Sequence, residues 1–319
     1  MSGPLGPRVV RSRVGRESGG ETLLDVLAGR FTYHSREAWT AILAVGQVTL
    51  DGQPATATTP LVAGSMLEYH CGDLPEPPVP RDLQVVYEDE ELLVVAKPPG
   101  LPVHPAGHYF AHTLWAMLHE QGYESLHFLS RLDRETSGLL LAAKTSEAAA
   151  HYQRLAAAGR ITKTYLVAVE GEFPETLDAC GWLFPDPDSV IRKKRRFAVA
   201  QPATGEAQTA ETHCRRLASH AGLSPVQAGL VTGRTHQIRA TLCSLGYPVV
   251  GDKIYGRDET WFLRFRDGQL TPTDETGLRL PHQALHAWKL AIQLPSGENM
   301  AWTCPPPTDL VALFPDQPR

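Results

Sequence analysis

The chain reads as an α+β protein with a small module at its start and a large domain after it, and three observations predict this. Apolar residues recur at helical spacing from residue 21 onward and give way to a short hairpin pattern. A proline-rich stretch, 71–84, then interrupts both helix and strand. Beyond residue 85, strand-length apolar runs alternate with helix-length stretches.

Taken in order, residues 1–20 carry Arg8, Arg11, Arg13 and Arg16 among glycines and prolines. They read as a disordered basic tail without the apolar stretch or cleavage site of a signal peptide. From Glu21 to Phe31, Leu23, Leu27 and Phe31 share one helical face. Ser35 is a suitable N-cap for a second helix carrying Trp39, Ile42 and Leu43. Gly46 can end it in a left-handed conformation, and Gln47 to Leu50 reads as a strand turning at Asp51-Gly52. This helix-hairpin module spans 21–70, and 71–84 is a stiff extended linker. In the domain 85–319, strands are expected at Val85 to Tyr87, Leu92 to Ala96, Leu139 to Ala143, Thr164 to Val169 and Gly229 to Thr232. Helices are expected at Thr113 to Gln121 and Ser146 to Ala157.

A length of 319 residues, 42% hydrophobic and 20% charged, suits a soluble globular protein with a substantial core. No apolar run approaches the ~18 residues of a membrane span. The five cysteines form no Cys-x-x-Cys pair and are odd in number, which argues against a disulfide framework or a zinc site and for a reducing cytoplasm. A net charge of −5 means that any nucleic-acid surface must come from local clustering of basic residues. His104, His108 and His112 fall at four-residue spacing, but Pro105 and Gly107 break any helix through them, so they read as loop histidines rather than metal ligands.

The most telling segment is Ser130-Arg131-Leu132-Asp133-Arg134-Glu135-Thr136-Ser137-Gly138, followed by Leu139-Leu140-Leu141. A guanidinium within ~4 to 6 Å lowers a carboxylate pKa by roughly 1 to 3 units, so Asp133 between two arginines should stay ionised and nucleophilic. Arg-Leu-Asp-x-x-Thr-Ser-Gly before leucines resembles the signature of the RluA-type RNA pseudouridine synthases, and Asp133 matches their single catalytic aspartate. Leu93 to His104 is similar to that family's opening strand and loop, with Ala96 where asparagine is more usual. Lys163-Thr164-Tyr165 aligns Tyr165 with the active-site tyrosine that stacks on the target base, a contact worth roughly 1 to 3 kcal/mol. Leu230 to Arg239, then Gly246-Tyr247-Pro248, Gly251-Asp252-Lys253 and Tyr255-Gly256, resemble the family's third block. Arg239 there aligns with the arginine that pairs with the aspartate. Ser130 and Thr241 each stand where many relatives carry histidine. Ser35-Arg36, Gly46-Gln47-Val48, Asp51-Gly52 and Gly64 resemble the small S4-like RNA-binding domain, named after a ribosomal small-subunit protein.

The resemblance implies the pseudouridine synthase fold: a mixed, mainly antiparallel sheet in two halves around a central cleft, with a small N-terminal helix-hairpin RNA-binding domain. It implies an isomerase with Asp133, Tyr165 and Arg239 as catalytic residues, and no metal or organic cofactor. Expected RNA contacts are Arg131, Arg134, Lys163 and Arg234, Arg36 in the module, and the dense run Arg192, Lys193, Lys194, Arg195 and Arg196. The expected partner is large-subunit ribosomal RNA, with transfer RNA as the alternative, and no membrane. A monomer is the expected state. A non-catalytic RNA-binding or ribosome-assembly factor retaining the fold is a second reading. A glycoside hydrolase is a third, although it normally needs two carboxylates flanking the bond, and only Glu135 lies close to Asp133 in this motif.

Overall fold

The computed structural model describes residues 8–16, 20–31, 34–72, 75–203 and 205–314. They fall into two units, Met1–Val79 with His104–Glu124, and Pro80–Val103 with Ser125–Arg319.

The first unit contains β1 (Val9–Arg13), α1 (Leu23–Arg30), α2 (Arg36–Ala44), β2 (Val48–Leu50), β3 (Gln53–Pro54), β4 (Met66–His70) and, from the second stretch, α3 (Leu114–Glu120). Ser35 accepts a hydrogen bond from the Ala38 amide and so caps α2. Gly46 after α2 has φ +72°, and Asp51 and Gly52, both at positive φ, turn β2 into β3. Leu23, Leu27, Trp39 and Leu43 from the helices bury against Val48, Leu67 and Tyr69 of the sheet, whose order is β1-β4-β2-β3.

The structure differs here from the expected tail. Val9–Arg13 is an antiparallel edge strand on β4, because Val10 packs on the apolar core and Arg11 finds Glu68 across the ladder at 2.6 Å. The expected disorder of 1–7 and 17–19 lies outside the described residues. The linker also differs from a plain spacer. The Glu76 carboxylate accepts from the amides of Phe110, Ala111 and His112 at 2.7 to 2.9 Å, with Arg8 3.8 Å away. Three amides that begin the approach to α3 are thereby satisfied, which ties 104–124 to the N-terminal module rather than to the large domain.

The second unit holds β5 (Gln84–Glu88), β6 (Leu92–Lys97), β7 (His127–Phe128), β8 (Ser137–Ala143), α4 (Ser146–Ala157), β9 (Ile161–Glu170), β10 (Thr176–Pro185), β11 (Arg195–Ala198), β12 (Gln208–Arg216), β13 (Leu223–Leu230), α5 (Gln237–Ser244), α6 (Thr260–Arg266), α7 (Pro272–Leu278), β14 (Leu285–Gln293), β15 (Asn299–Thr303) and α8 (Thr308–Ala312). The main sheet runs β11-β10-β12-β13-β9-β14-β8-β6-β5, with β15 on β14 and β7 on β8. Every pairing is antiparallel except β14 with β8. The strand expected at 229–232 is the last part of a longer one, β13, and it stops at Leu230, after which Val231 is exposed.

Two separate cores pack on the sheet, and the parallel junction lies within the first, which takes Leu290 and Ile292 of β14. The first also gathers Leu92, Val94, Leu139, Leu141 and α4, and the other gathers Leu183, Phe197, Ala240 and Tyr255. At the junction the Ser-Gly of the aspartate motif serves the fold. Gly138 has φ +105°, and a Cβ there would stand 2.3 Å from the Ala287 carbonyl, so only glycine lets β8 approach β14. Ser137 Oγ donates to His286 Nδ1, since His286 Nε2 is committed to the Cys304 carbonyl at 2.9 Å. Among the described residues no helix is long and apolar enough to cross a membrane.

Candidate active site

Asp133 sits in the loop that delivers the chain into β8, and the loop's shape is set by its backbone. The Thr136 amide closes a turn on the Asp133 carbonyl at 3.1 Å. The Arg134 carbonyl is held from behind by the Gly100 amide at 2.8 Å and by Lys97 Nζ at 3.0 Å. Lys97 is 2% exposed and also donates to the carbonyls of Pro98 and Leu101, so it is an internal knot. Burial pushes its ammonium down to about 7.

The carboxylate of Asp133 meets Arg239, 106 residues later, with Nη1 2.7 Å from Oδ2. Arg239 lies on α5 and spends its other donors on Asp252, Nε to Oδ2 at 2.6 Å and Nη2 to Oδ1 at 2.9 Å. Asp252 is fully buried and also accepts from the amides of Ile254 and Tyr255. One guanidinium thus bridges two carboxylates while lying 4.9 Å above the Tyr255 ring. Burial alone would raise Asp133, but the Arg239 charge and hydrogen bonds from Arg239 and Gln283 outweigh it and hold the carboxyl below the ordinary carboxylate value. Asp133 is therefore an anion at neutral pH.

Tyr165 of β9 is 6% exposed and lines the same pocket as Asp133 and Arg239. Burial, with the Asp133 charge behind it, raises its phenol, which stays protonated. Leu132, Leu230, Ile238 and Leu285 make the pocket's apolar lining, and Arg131 and Arg234, both on the list of expected RNA contacts, line it too. An anion among apolar walls, beside a ring able to stack, is suited to act on a flat polar ligand such as a nucleobase and its sugar.

The other expected contacts divide. Arg134 is bound to Glu135 at 2.7 Å and lies over Phe265, and Lys253 approaches the same ring while donating to Glu135. Lys163 is half-buried on β9 two residues before Tyr165, hence on the same face, and burial pushes it down to about 8. The residues of the run 192–196 make different contacts. Lys194 is bound to Glu259, and Arg196 to Asp186 and Asp188, whereas Lys193 stacks on Phe262. Burial lowers Lys193, and the nearby Arg239 and Arg134 lower it further, which brings it within electrostatic reach of the pocket. The Arg195 amide donates to Tyr255 Oη. Arg36 belongs to the first unit, where it pairs with Asp25 at 2.7 Å.

Several residues that shape the site were given no role from sequence: His236, Gln237, Asp252, Gln283 and Lys97. Gln237 accepts from Thr232 and the Arg234 amide and donates to Thr212 and the Glu211 carbonyl, fixing the loop between β13 and α5. No sequence signal marked Asp252, whose role follows from the burial of Arg239: a buried arginine shared with one carboxylate leaves donors that need a second acceptor. His104, His108 and His112 stay in loop, and among the described residues no group of three His, Cys, Asp or Glu side chains is placed to hold a metal ion.

The pocket, an ionised carboxylate among apolar walls, has the character of an enzyme active site, and comparison with known proteins makes the family assignment. Residues 91–244 match the RNA pseudouridylate synthase family. The chain is 31% identical over 318 residues to ribosomal large subunit pseudouridine synthase D of Pseudomonas aeruginosa, covering 93% of this chain and 92% of that protein. It is 33% identical over 267 residues to the mitochondrial tRNA pseudouridine(32) synthase of Saccharomyces cerevisiae, covering 81% of this chain but 57% of the yeast protein. The solved structure of Human RNA Pseudouridylate Synthase Domain Containing 1 superposes with a TM-score of 0.55 at 25% identity, over 72% of this chain and 86% of that one. The chain belongs to the RNA pseudouridylate synthase family.

Proposed function

We propose that this chain isomerises specific uridines in structured RNA to pseudouridine, with Asp133 as the catalytic carboxylate. The observation that carries the reading is the ionised Asp133, held by Arg239 in an apolar pocket that Tyr165 also lines. In the proposed reaction the target uridine leaves its stack at a cost of a few kcal/mol, offset by phosphate and stacking contacts. The bond from ring nitrogen 1 to the anomeric carbon breaks, the uracil turns within the pocket, its carbon 5 bonds to the same sugar carbon, the hydrogen on carbon 5 leaves to water as a proton, and ring nitrogen 1 takes up a proton, so that the product is an isomer of the substrate. Tyr165 stacks on the base, Arg239 keeps the carboxylate charged, and Arg131 fills the space the base vacates. Lys163, Arg234, Arg192, Lys193 and Arg195 hold phosphates around the pocket, with Arg134, Lys194 and Arg196 weakened in that role by their acidic partners.

Large-subunit ribosomal RNA is the proposed substrate, supported by the near full-length likeness to the Pseudomonas protein. Transfer RNA is the second reading, supported by the name of the yeast relative. In the S4-like module, Arg36 is proposed to touch phosphate and to position RNA without reading its bases. All five cysteines are free thiols, which supports a reducing compartment such as the cytoplasm. The test is tritium release from unmodified transcripts labelled at carbon 5 of uridine, ribosomal and transfer RNA in parallel, with wild type and Asp133→Asn. Release from ribosomal RNA by wild type alone is expected. Release by both proteins would remove Asp133 from the chemistry, and RNA binding without any release would favour a non-catalytic binding factor.

A further inference from the structure

His236 is strained, partly buried and aimed at the proposed catalytic carboxylate. It has φ +58° and ψ +20°, a left-handed conformation uncommon for a non-glycine residue, and it precedes α5 without providing a side-chain cap. Its side chain is 11% exposed and lines the pocket. Nδ1 lies 2.8 Å from Tyr255 Oη, and Nε2 lies 3.8 Å from Asp133 Oδ1, the oxygen opposite the one Arg239 holds.

The hydrogen bonds fix which ring nitrogen carries the proton. Tyr255 is 1% exposed, and its Oη already accepts from the Arg195 amide at 2.9 Å, a contact in which the amide can only donate. Were Nδ1 protonated, Oη would accept twice and the buried phenolic hydrogen would be stranded, a cost of roughly 1 to 3 kcal/mol. The hydrogen therefore goes to Nδ1, and Nε2 is left as the N–H that faces Asp133. Burial, reinforced by Arg239, pushes the imidazole down to about 4, in keeping with a neutral ring.

We propose, building on the synthase reading, that His236 is a positioning residue whose Nε2–H closes onto Asp133 Oδ1 when RNA fills the pocket, fixing the plane of the reacting carboxylate. Arg239 grips Oδ2 through a single nitrogen, and Gln283 reaches the same carboxylate. A donor on Oδ1 adds a hold on the other oxygen and fixes the plane of the carboxylate. At 3.8 Å the contact is beyond a formed hydrogen bond, and catalytic hydrogen bonds commonly tighten only in the loaded complex. One helical turn then carries both parts of the grip, since His236 and Arg239 are three residues apart.

The experiment compares His236→Gln, His236→Asn, His236→Ala and Tyr255→Phe in the full chain. The readouts are single-turnover tritium release from unmodified large-subunit ribosomal RNA transcripts and RNA affinity by filter binding. Glutamine places an N–H near the Nε2 position, whereas asparagine suits left-handed backbone but cannot reach Asp133. The expected result is a loss of roughly 10- to 100-fold in the single-turnover rate for alanine and asparagine, with RNA affinity within about twofold of wild type. Glutamine is expected to restore most of the rate, and Tyr255→Phe, which frees the tautomer, to lose less than alanine does. Rescue by asparagine and not by glutamine would make the position a backbone device and overturn the proposal, as would rates for all four within about twofold of wild type. Absence of release by wild type itself would instead overturn the synthase reading.

Discussion

Arg239 and Arg36 each hold an aspartate at 2.7 Å, yet the two pairs do different physical work. Arg36 and Asp25 are about half exposed, so water and salt screen them and the ion pair is one of several states the side chains visit. The Arg239 side chain is 6% exposed and its second partner, Asp252, has no exposure at all. Its charges were moved out of water, and the only compensation is the set of partners that the fold supplies. Bond length therefore says little about the worth of an ion pair. What distinguishes the two regions is how much remains unsatisfied when one member is removed.

The largest effect is expected from removing the bridge. Arg239→Ala strips the fully buried Asp252 of its charge partner, next to an Asp133 side chain that keeps 29% exposure, and should cost about 3 to 5 kcal/mol in urea unfolding, together with tritium-release activity. A loss under about 1 kcal/mol would mean that water reaches the site and that the contrast with Arg36 is false. Asp252→Asn is a finer test, because the amide oxygen can still accept from Ile254 and Tyr255 while the second charge on Arg239 is lost. The expected outcome is a roughly 10- to 100-fold slower single-turnover rate with unchanged RNA affinity, since Arg239 then orients Asp133 less well. Equal loss of affinity and rate would make Asp252 a part of RNA binding instead.

The pH response sharpens the comparison further. A carboxyl whose folded pKa is depressed contributes stability that is present above its unfolded value, near 3.9, and lost as pH falls through the folded value. Asp133 and Asp252 are both held below the ordinary value, so neither should limit the rate or the unfolding midpoint between about pH 5 and 8. A rate that falls by half near pH 6 in this range would show that another group governs the chemistry. The smallest effect belongs to Arg36→Ala, whose unfolding midpoint should match wild type. If Arg36 touches phosphate, the slope of log affinity against log salt should shrink by about 0.7 to 0.9, and an unchanged slope would remove it from the RNA surface.

How much of this was legible beforehand follows the range of the interactions. Ser35 acts on an amide three residues on, and Gly46 and Asp51-Gly52 set local positive-φ turns, so the first module's helices and hairpin could be read directly. Val9–Arg13 was misread because arginines and glycines around it suggested a solvated tail, while its partner strand lay 57 residues on at Glu68. The long strands β10 and β12 escaped notice since their alternation of exposed polar and buried small residues, Ala179 and Ala210 among them, carries a weak apolar signal. In the pocket, Asp133, Tyr165 and Arg239 were found through motifs that resemble a family. His236 and Asp252 lay in the same motifs without a role, because their work is to satisfy and orient Arg239 and Asp133, and that is visible only when distant segments meet.

The chain leaves the first unit after Val79, returns at His104 and departs again after Glu124. Synthesis on a ribosome is vectorial, so the N-terminal module cannot be completed when its own strands and helices have emerged. It must wait for α3, and by then β5 and β6 of the other unit are already outside the exit tunnel. A single proteolytic cut in the proline-rich segment would likewise release nothing, because the returning segment 104–124 would still tether the module. The returning segment couples the two units through the order of the chain, in assembly and in turnover alike.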